Sequence, residues 1–307
     1  MSWLLRRWRR PTLDRPQVAL GARTSGATDG SDDRDYIFGE SESEISRLDM
    51  QHFMFRWELG GDYLAPLGQP RDILDVACGT GRWARDMARA FPHATVVGFD
   101  INSQQLEASL AEGAQSGRDP LPENCAFVTG DALATFNFPD ASFDYVVARA
   151  TSAFIPVSKW PGVIAEMRRV CRPGGWVELR DFGLARSPDS ALNELTVKFA
   201  SLAAGRGIYP GAGPYLGDFL RTAGLRNVQT RQAVVRSGGP QRATRGGRLM
   251  LADYLALLDR ITPAIAQTGI ERAERWRELL TQARSETALY PDSRYAEVEL
   301  TAAIGQR

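Results

Sequence analysis

Short apolar runs of five or six residues alternate, through the middle of this chain, with stretches whose apolar side chains recur at helical spacing. The runs Asp72–Val76, Thr95–Asp100, Cys125–Thr129, Phe143–Ala148 and Trp176–Arg180 read as buried strands. Between them, Trp83, Ala84, Met87, Ala88 and Phe91 share one face of a helix, and Ser103–Glu112 forms another. A third helix, Ser158–Val170, buries Val163, Ile164, Met167 and Val170 before the turn Arg172-Pro173-Gly174-Gly175. Alternation of this length predicts an α/β fold, a doubly wound and mostly parallel sheet with helices on both faces.

The flanks break the rhythm. Residues 1–34 hold few aliphatic side chains after Leu20 and many Gly, Ser, Thr, Asp and Arg, the composition of a flexible arm. Residues 35–69 form a helical cap: Ile45, Leu48, Phe53 and Trp57 carry its apolar face, and Gly60-Gly61 stops it. The main domain spans 70–248, with a cap insertion at about 185–215. It includes helices Ala191–Ala204 and Tyr215–Ala223 and a period-2 strand around Val228–Val234. Residues 249–307 read as helices, so a helical lobe is added to the sheet.

Composition narrows the class of partner. Lys plus Arg and Asp plus Glu balance at 37 each, which leaves no whole-chain field to attract nucleic acid. No run approaches the roughly 18 apolar residues of a membrane span. The basic start Trp3–Arg10 lacks the apolar core of a secretory signal and offers at most a surface contact with acidic lipid. Cys78, Cys125 and Cys171 have no paired or metal-ligand spacing, so no metal is expected. Reduced thiols in a cytoplasmic protein are the expectation.

The chemistry concentrates in Ile73-Leu74-Asp75-Val76-Ala77-Cys78-Gly79-Thr80-Gly81. Here a strand meets a glycine turn that lets backbone approach a ligand closely. Gly79, Gly81 and Ala84, with Asp100 lying 19 residues beyond Gly81, also satisfy a dinucleotide pattern. Asp75 argues against that cofactor, because a pyrophosphate at a helix N-terminus has no use for a negative neighbour. It suits instead a ligand with an ammonium group, such as S-adenosylmethionine, whose ribose hydroxyls Asp100 could accept. Gly130-Asp131-Ala132 follows the third strand at the ligand-binding edge of such sheets. An acid there can accept from an adenine amine or simply cap a helix.

In order and spacing, the I-L-D-V-x-C-G-T-G run, the following acid, G-D-A, F-D-x-V and R-P-G-G resemble the class I S-adenosylmethionine-dependent methyltransferases. The likeness covers about residues 70–182 and is nearest to the branch of ubiquinone/menaquinone-type C-methyltransferases. It implies a Rossmann-like sheet and a small organic methyl acceptor. By position it implies donor contacts at Asp75, Ala77, Cys78, Gly79 and Gly81 around the methionine moiety. Asp100 and Ile101 match the ribose/adenine pair, Asp131 and Ala132 the adenine contacts, and Arg149 the methionine end. Ala77-Cys78 departs from the glycine many members carry, though alanine is small enough to keep the turn.

Methyl transfer from a sulfonium needs alignment above all, and a base only for a neutral hydroxyl or a carbon acid. Candidate catalytic residues are His52 on the cap helix, near Tyr36, Arg47 and Gln51, Arg149 after the fourth strand, and Tyr209 in the lobe. His52 could equally be packed, and Tyr209 could be core. The fourth strand ends in Ala148-Arg149-Ala150-Thr151, without the turn that clamps a nucleic-acid base. Two other readings stay open on sequence alone: a non-catalytic donor-binding scaffold or sensor, and an NAD(P)-dependent oxidoreductase.

Overall fold

The computed structural model describes residues 42–116, 119–188, 190–289 and 291–307. The N-terminal arm, including Trp3–Arg10 and Tyr36, lies outside the described residues, and the side chain of Arg47 is likewise undescribed. Helix α1 (Glu42–Glu58) ends where expected: Gly60 takes φ 74° and the Gly61 amide returns to the Arg56 carbonyl at 2.8 Å.

The sheet has seven strands: β1 (Asp72–Val76), β2 (Thr95–Asp100), β3 (Cys125–Thr129), β4 (Phe143–Arg149), β5 (Cys171–Phe182), β6 (Arg226–Arg236) and β7 (Glu297–Gln306). Their order is β3-β2-β1-β4-β5-β7-β6. The first five are parallel, and β7 runs antiparallel between β5 and β6. The α/β expectation of a doubly wound, mostly parallel sheet therefore holds.

One expectation fails. Residues 249–307 are not helical throughout, since the last ten-residue element is a strand inside the sheet. Val298, Leu300 and Ala302 face the helical lobe while Ala303 faces the opposite core, so β7 is buried on both faces. Its alternation of Glu297, Glu299 and Thr301 with Val298, Leu300 and Ala302 was the available signal. β5 is also longer than expected, because the Arg172–Gly175 turn continues as strand backbone.

Helix α2 (Arg82–Ala90) packs Trp83, Ala84, Met87 and Ala88 on one face of the sheet with Ile73, Val96, Tyr145 and Val147. Helix α3 (Ser103–Ser116) follows β2, and Leu106 joins the same core. Helices α4 (Trp160–Val170) and α6 (Leu216–Thr222) cover the other face over Leu74, Val146 and Val177. A separate core joins the C-terminal half of α1 (Met54, Phe55) to four lobe helices. These are α5 (Ala191–Gly205), α7 (Gly247–Arg260), α8 (Thr262–Gln267) and α9 (Ala273–Leu289). The segments expected as cap, insertion and C-terminal region thus share one apolar interior.

A buried carboxylate ties the linker after α1 to the sheet. Glu178 accepts from the amides of Leu64 (2.9 Å) and Ala65 (3.1 Å), from the Tyr145 hydroxyl (2.8 Å) and from Arg180 Nε (2.6 Å). Arg180 in turn donates to the Gly61 carbonyl at 2.7 Å. Partnering of both ions is what makes such burial tolerable.

Candidate functional site

Strand order reverses between β1 and β4, and the carboxyl ends of β1 to β4 lie along one edge there. Ala77, Gly79 and Gly81 all adopt left-handed backbone, at φ 56°, 56° and 68°. At Gly81 a Cβ would lie 2.5 Å from the Phe127 ring, so that glycine is required by both conformation and space. The turn is pinned to the neighbouring strand end. Asp100 accepts from the amides of Gly79 (2.7 Å) and Asn102 (2.8 Å), one on each carboxylate oxygen. Burial raises the Asp100 carboxyl above its ordinary range, against the pull of these amides. Helix α1 crosses the turn: Leu48 abuts Gly79, and Thr80 donates to Asp49 at 2.9 Å.

Asp75 is completely buried beneath this turn, and neither carboxylate oxygen has a hydrogen-bond partner. Arg149 Nη2 stands 3.6 Å from it, at the end of β4. Burial pushes the Asp75 carboxyl up to about 6, against the Arg149 charge. The guanidinium also lies over the Trp83 ring, 5.2 Å from its centroid, and Arg149 Nε is another buried atom without a partner.

These residues border a cavity of about 740 Å³. Its polar end is walled by Ala77, Gly79, Asp100, Ile101, Asp131, Ala132 and Arg149. Asp131 also accepts from the Leu133 amide at 2.7 Å, so it caps the turn that follows β3 as well as facing the cavity. Asp75, Cys78 and Gly81 stand outside the wall residues, and Asp75 reaches the cavity through Arg149. The other end is lined by Phe154, Phe182, Leu184, Phe199, Met250, Leu257 and Val298, together with Gln51, Arg206, Asp253 and Tyr254.

The three candidate catalytic residues divide. Arg149 is in the wall. His52 is not: its Nε2 pairs with Asp86 at 3.1 Å, and its Nδ1 lies 3.5 Å from Arg149 Nη1. Burial and the Arg149 charge hold the His52 imidazole below its ordinary value, against Asp86. Burial opposes ionisation of Asp86, but His52, Arg82 and Arg56 outweigh it and the carboxyl falls below its usual range. Tyr209 is 40% exposed, packs against Tyr215 with ring centroids 6.1 Å apart and is not a wall residue. Sequence reasoning missed Asp253 and Phe199, which come from lobe helices without any motif. Asp181 was also missed; it accepts from the amides of Thr151 and Ser152, both at 2.7 Å, and shapes the loop after β4.

The three cysteines are unpaired and buried. Among the described residues no helix is long and apolar enough to cross a membrane.

With the site defined, comparison with known proteins gives its class. Residues 73–175 match the family described as a methyltransferase domain. Methyltransferase str2 of Strobilurus tenacellus is 29% identical over 189 residues, covering 61% of this chain and 63% of that protein. Sterol 24-C-methyltransferase erg-4 of Neurospora crassa is 33% identical over 158 residues, covering 46% of this chain and 40% of its own. The solved YcgJ protein of Bacillus subtilis is 17% identical with a TM-score of 0.49, covering 85% of this chain and 99% of that one. Residues 73–175 therefore form a methyltransferase domain. The relatives support that class without singling out the quinone-methyltransferase branch, and this chain spans less than two thirds of either curated relative.

Proposed function

We infer that the whole chain transfers a methyl group from S-adenosylmethionine to an O, N or C atom of a small, largely apolar organic acceptor. The observation that carries this reading is the buried, unbonded carboxylate of Asp75 beside Arg149 at the end of the glycine turn. A buried carboxylate without donors is costly, and an ammonium supplies them. Arg149, in the cavity wall, would swing from Asp75 onto the donor's carboxylate, which would open Asp75 behind it to the ammonium. Asp100 has lone pairs left for the ribose hydroxyls, Ile101 packs against adenine, and Asp131 and Ala132 receive its edge. Ala77 and Gly79 bring backbone close to the amino-acid tail, and Gly81 lets the turn close against Phe127 behind them. The apolar end supports an uncharged acceptor body and excludes water, as alignment at about 3 Å requires.

The competing dinucleotide reading places a pyrophosphate beside Asp75, which its charge opposes. A cytoplasmic setting is supported by the three unpaired, buried thiols. Calorimetric titration should show binding of S-adenosylhomocysteine and none of NADH, and Asp100→Ala should weaken the former at least about tenfold, the scale of a lost charged hydrogen bond. NADH binding without S-adenosylhomocysteine binding would overturn the assignment. Binding without transfer of labelled methyl to any metabolite in an extract would favour a scaffold.

A further inference from the structure

His52 lies buried behind the polar end of the cavity, and its two ring nitrogens meet neighbours of opposite kind. Nε2 is 3.1 Å from the Asp86 carboxylate, and Nδ1 is 3.5 Å from Arg149 Nη1. An ionised carboxylate only accepts and a guanidinium only donates. Both neighbours therefore demand the same ring: neutral, with its proton on Nε2 and the Nδ1 lone pair aimed at Arg149. Arg89 at 3.0 Å and Arg56 at 3.2 Å keep Asp86 ionised, so the tautomer is imposed from α2. Burial and the Arg149 charge, which lower the imidazole's proton affinity, act in the same direction.

Arg149 is thus flanked by two acceptors, one at each terminal nitrogen: His52 at Nη1 and Asp75, 3.6 Å away, at Nη2. Neither contact is tight, as suits a group that must change partners. Beneath the guanidinium lies the Trp83 ring, itself fixed by Nε1 donating to the Asp62 carbonyl at 2.8 Å. A ring face attracts a cation without fixing its direction in the plane, so that direction has to come from an acceptor. Leu48, one helical turn before His52, abuts Gly79, so α1 reaches the donor end at two points.

We propose that His52 is a positioning residue for donor binding: its Nδ1 keeps Arg149 Nη1 while Nη2 exchanges Asp75 for the donor's carboxylate. The proposal rests on the S-adenosylmethionine reading above. The guanidinium pivots on the Trp83 ring about its held edge, and Asp75 is released to the ammonium. A protonated His52 would set an N–H against the guanidinium and lose this hold, so the tautomer that Asp86 imposes is part of the device. His52 acts through Arg149 and takes no proton from the acceptor.

The test compares the affinity of the full-length protein for S-adenosylhomocysteine and for its decarboxylated analogue, which keeps the ammonium but offers Arg149 nothing. Wild type should prefer the carboxylate at least about tenfold, the range of a hydrogen bond between charged groups. Arg149→Met should abolish the preference. His52→Leu should reduce it about fivefold, the scale of one lost hydrogen bond, and leave binding of methylthioadenosine, which lacks the amino-acid tail, unchanged. His52→Asn places Oδ1 where Nδ1 stood and loses the Asp86 bond just as His52→Leu does, so it should restore most of the preference. With Arg149→Met already present, His52→Leu should change nothing further. A preference unchanged in His52→Leu, equal losses in His52→Leu and His52→Asn, or a full effect of His52→Leu without Arg149 would each overturn the proposal. A second arm needs no variant, because the chain has two histidines and His93 is exposed. Nitrogen NMR of wild type with S-adenosylhomocysteine bound should show His52 neutral and protonated on Nε2; a charged ring or an Nδ1–H tautomer would also overturn it. Failure of wild type to bind either S-adenosylhomocysteine or methylthioadenosine would instead sink the donor assignment, and the histidine spectrum would still report the state of the ring.

Discussion

Replacing Asp75 by asparagine should separate stability from function in a pH-dependent way. The carboxyl is fully buried and pushed up to about 6 from an ordinary value of 3.8. A carboxyl raised in the folded state holds its proton where the unfolded chain has already lost it. Its contribution therefore falls as pH rises from about 4 to about 6, and stays at its least favourable value above that. At about 1.4 kcal/mol per pH unit, the burial of the charge costs about 3 kcal/mol at pH 8. Asparagine escapes this cost but leaves Arg149 without its counter-charge and an amide without partners, losses of about 1–3 kcal/mol that do not titrate. The measurable quantity is the stability difference between variant and wild type, from urea unfolding of the ligand-free proteins. It should move in the variant's favour by about 2.4 kcal/mol between pH 4 and pH 8. At pH 8 the same substitution should weaken S-adenosylhomocysteine binding at least about tenfold, since the ammonium loses its anion. A difference that is flat with pH would refute the burial argument. An unchanged affinity would refute the ammonium role.

The turn itself offers two opposed tests by thermal or urea unfolding. Gly81→Ala places a Cβ 2.5 Å from Phe127 at φ 68° and should cost about 2–4 kcal/mol; a loss below about 0.5 kcal/mol, the range of an innocuous surface change, would refute it. Ala77→Gly relieves a left-handed alanine at φ 56°, worth about 1–2 kcal/mol, and returns up to about 1 kcal/mol as unfolded-state entropy. The variant should be as stable as wild type or slightly more so, and clear destabilisation would show that Ala77 carries packing the turn depends on.

The glycine turn and strand ends at the polar end of the cavity were legible because their constraints are local. A left-handed, space-limited turn selects Gly79 and Gly81, and a strand end selects Asp75, Asp100 or Arg149; each leaves a mark within a few residues of chain. The parallel core was legible for the same reason, as apolar runs and helical periods report burial directly. Three matters belonged to tertiary structure. β7 gained its strand identity from β5 and β6 on either side, although it follows a helical stretch with a turn between. His52, a reasonable base on a cap helix, was claimed by Asp86 from α2, 34 positions away. Asp253 became a wall residue only because α1 and α7 pack together, bringing it to Gln51 across 202 positions. Local backbone geometry writes itself into adjacent residues, and so the sequence alone determined the strand, glycine turn and helix that frame the proposed donor end. The acceptor's surroundings are assembled from helices whose faces carry ordinary amphipathic patterns, and only their packing decided which side chains meet.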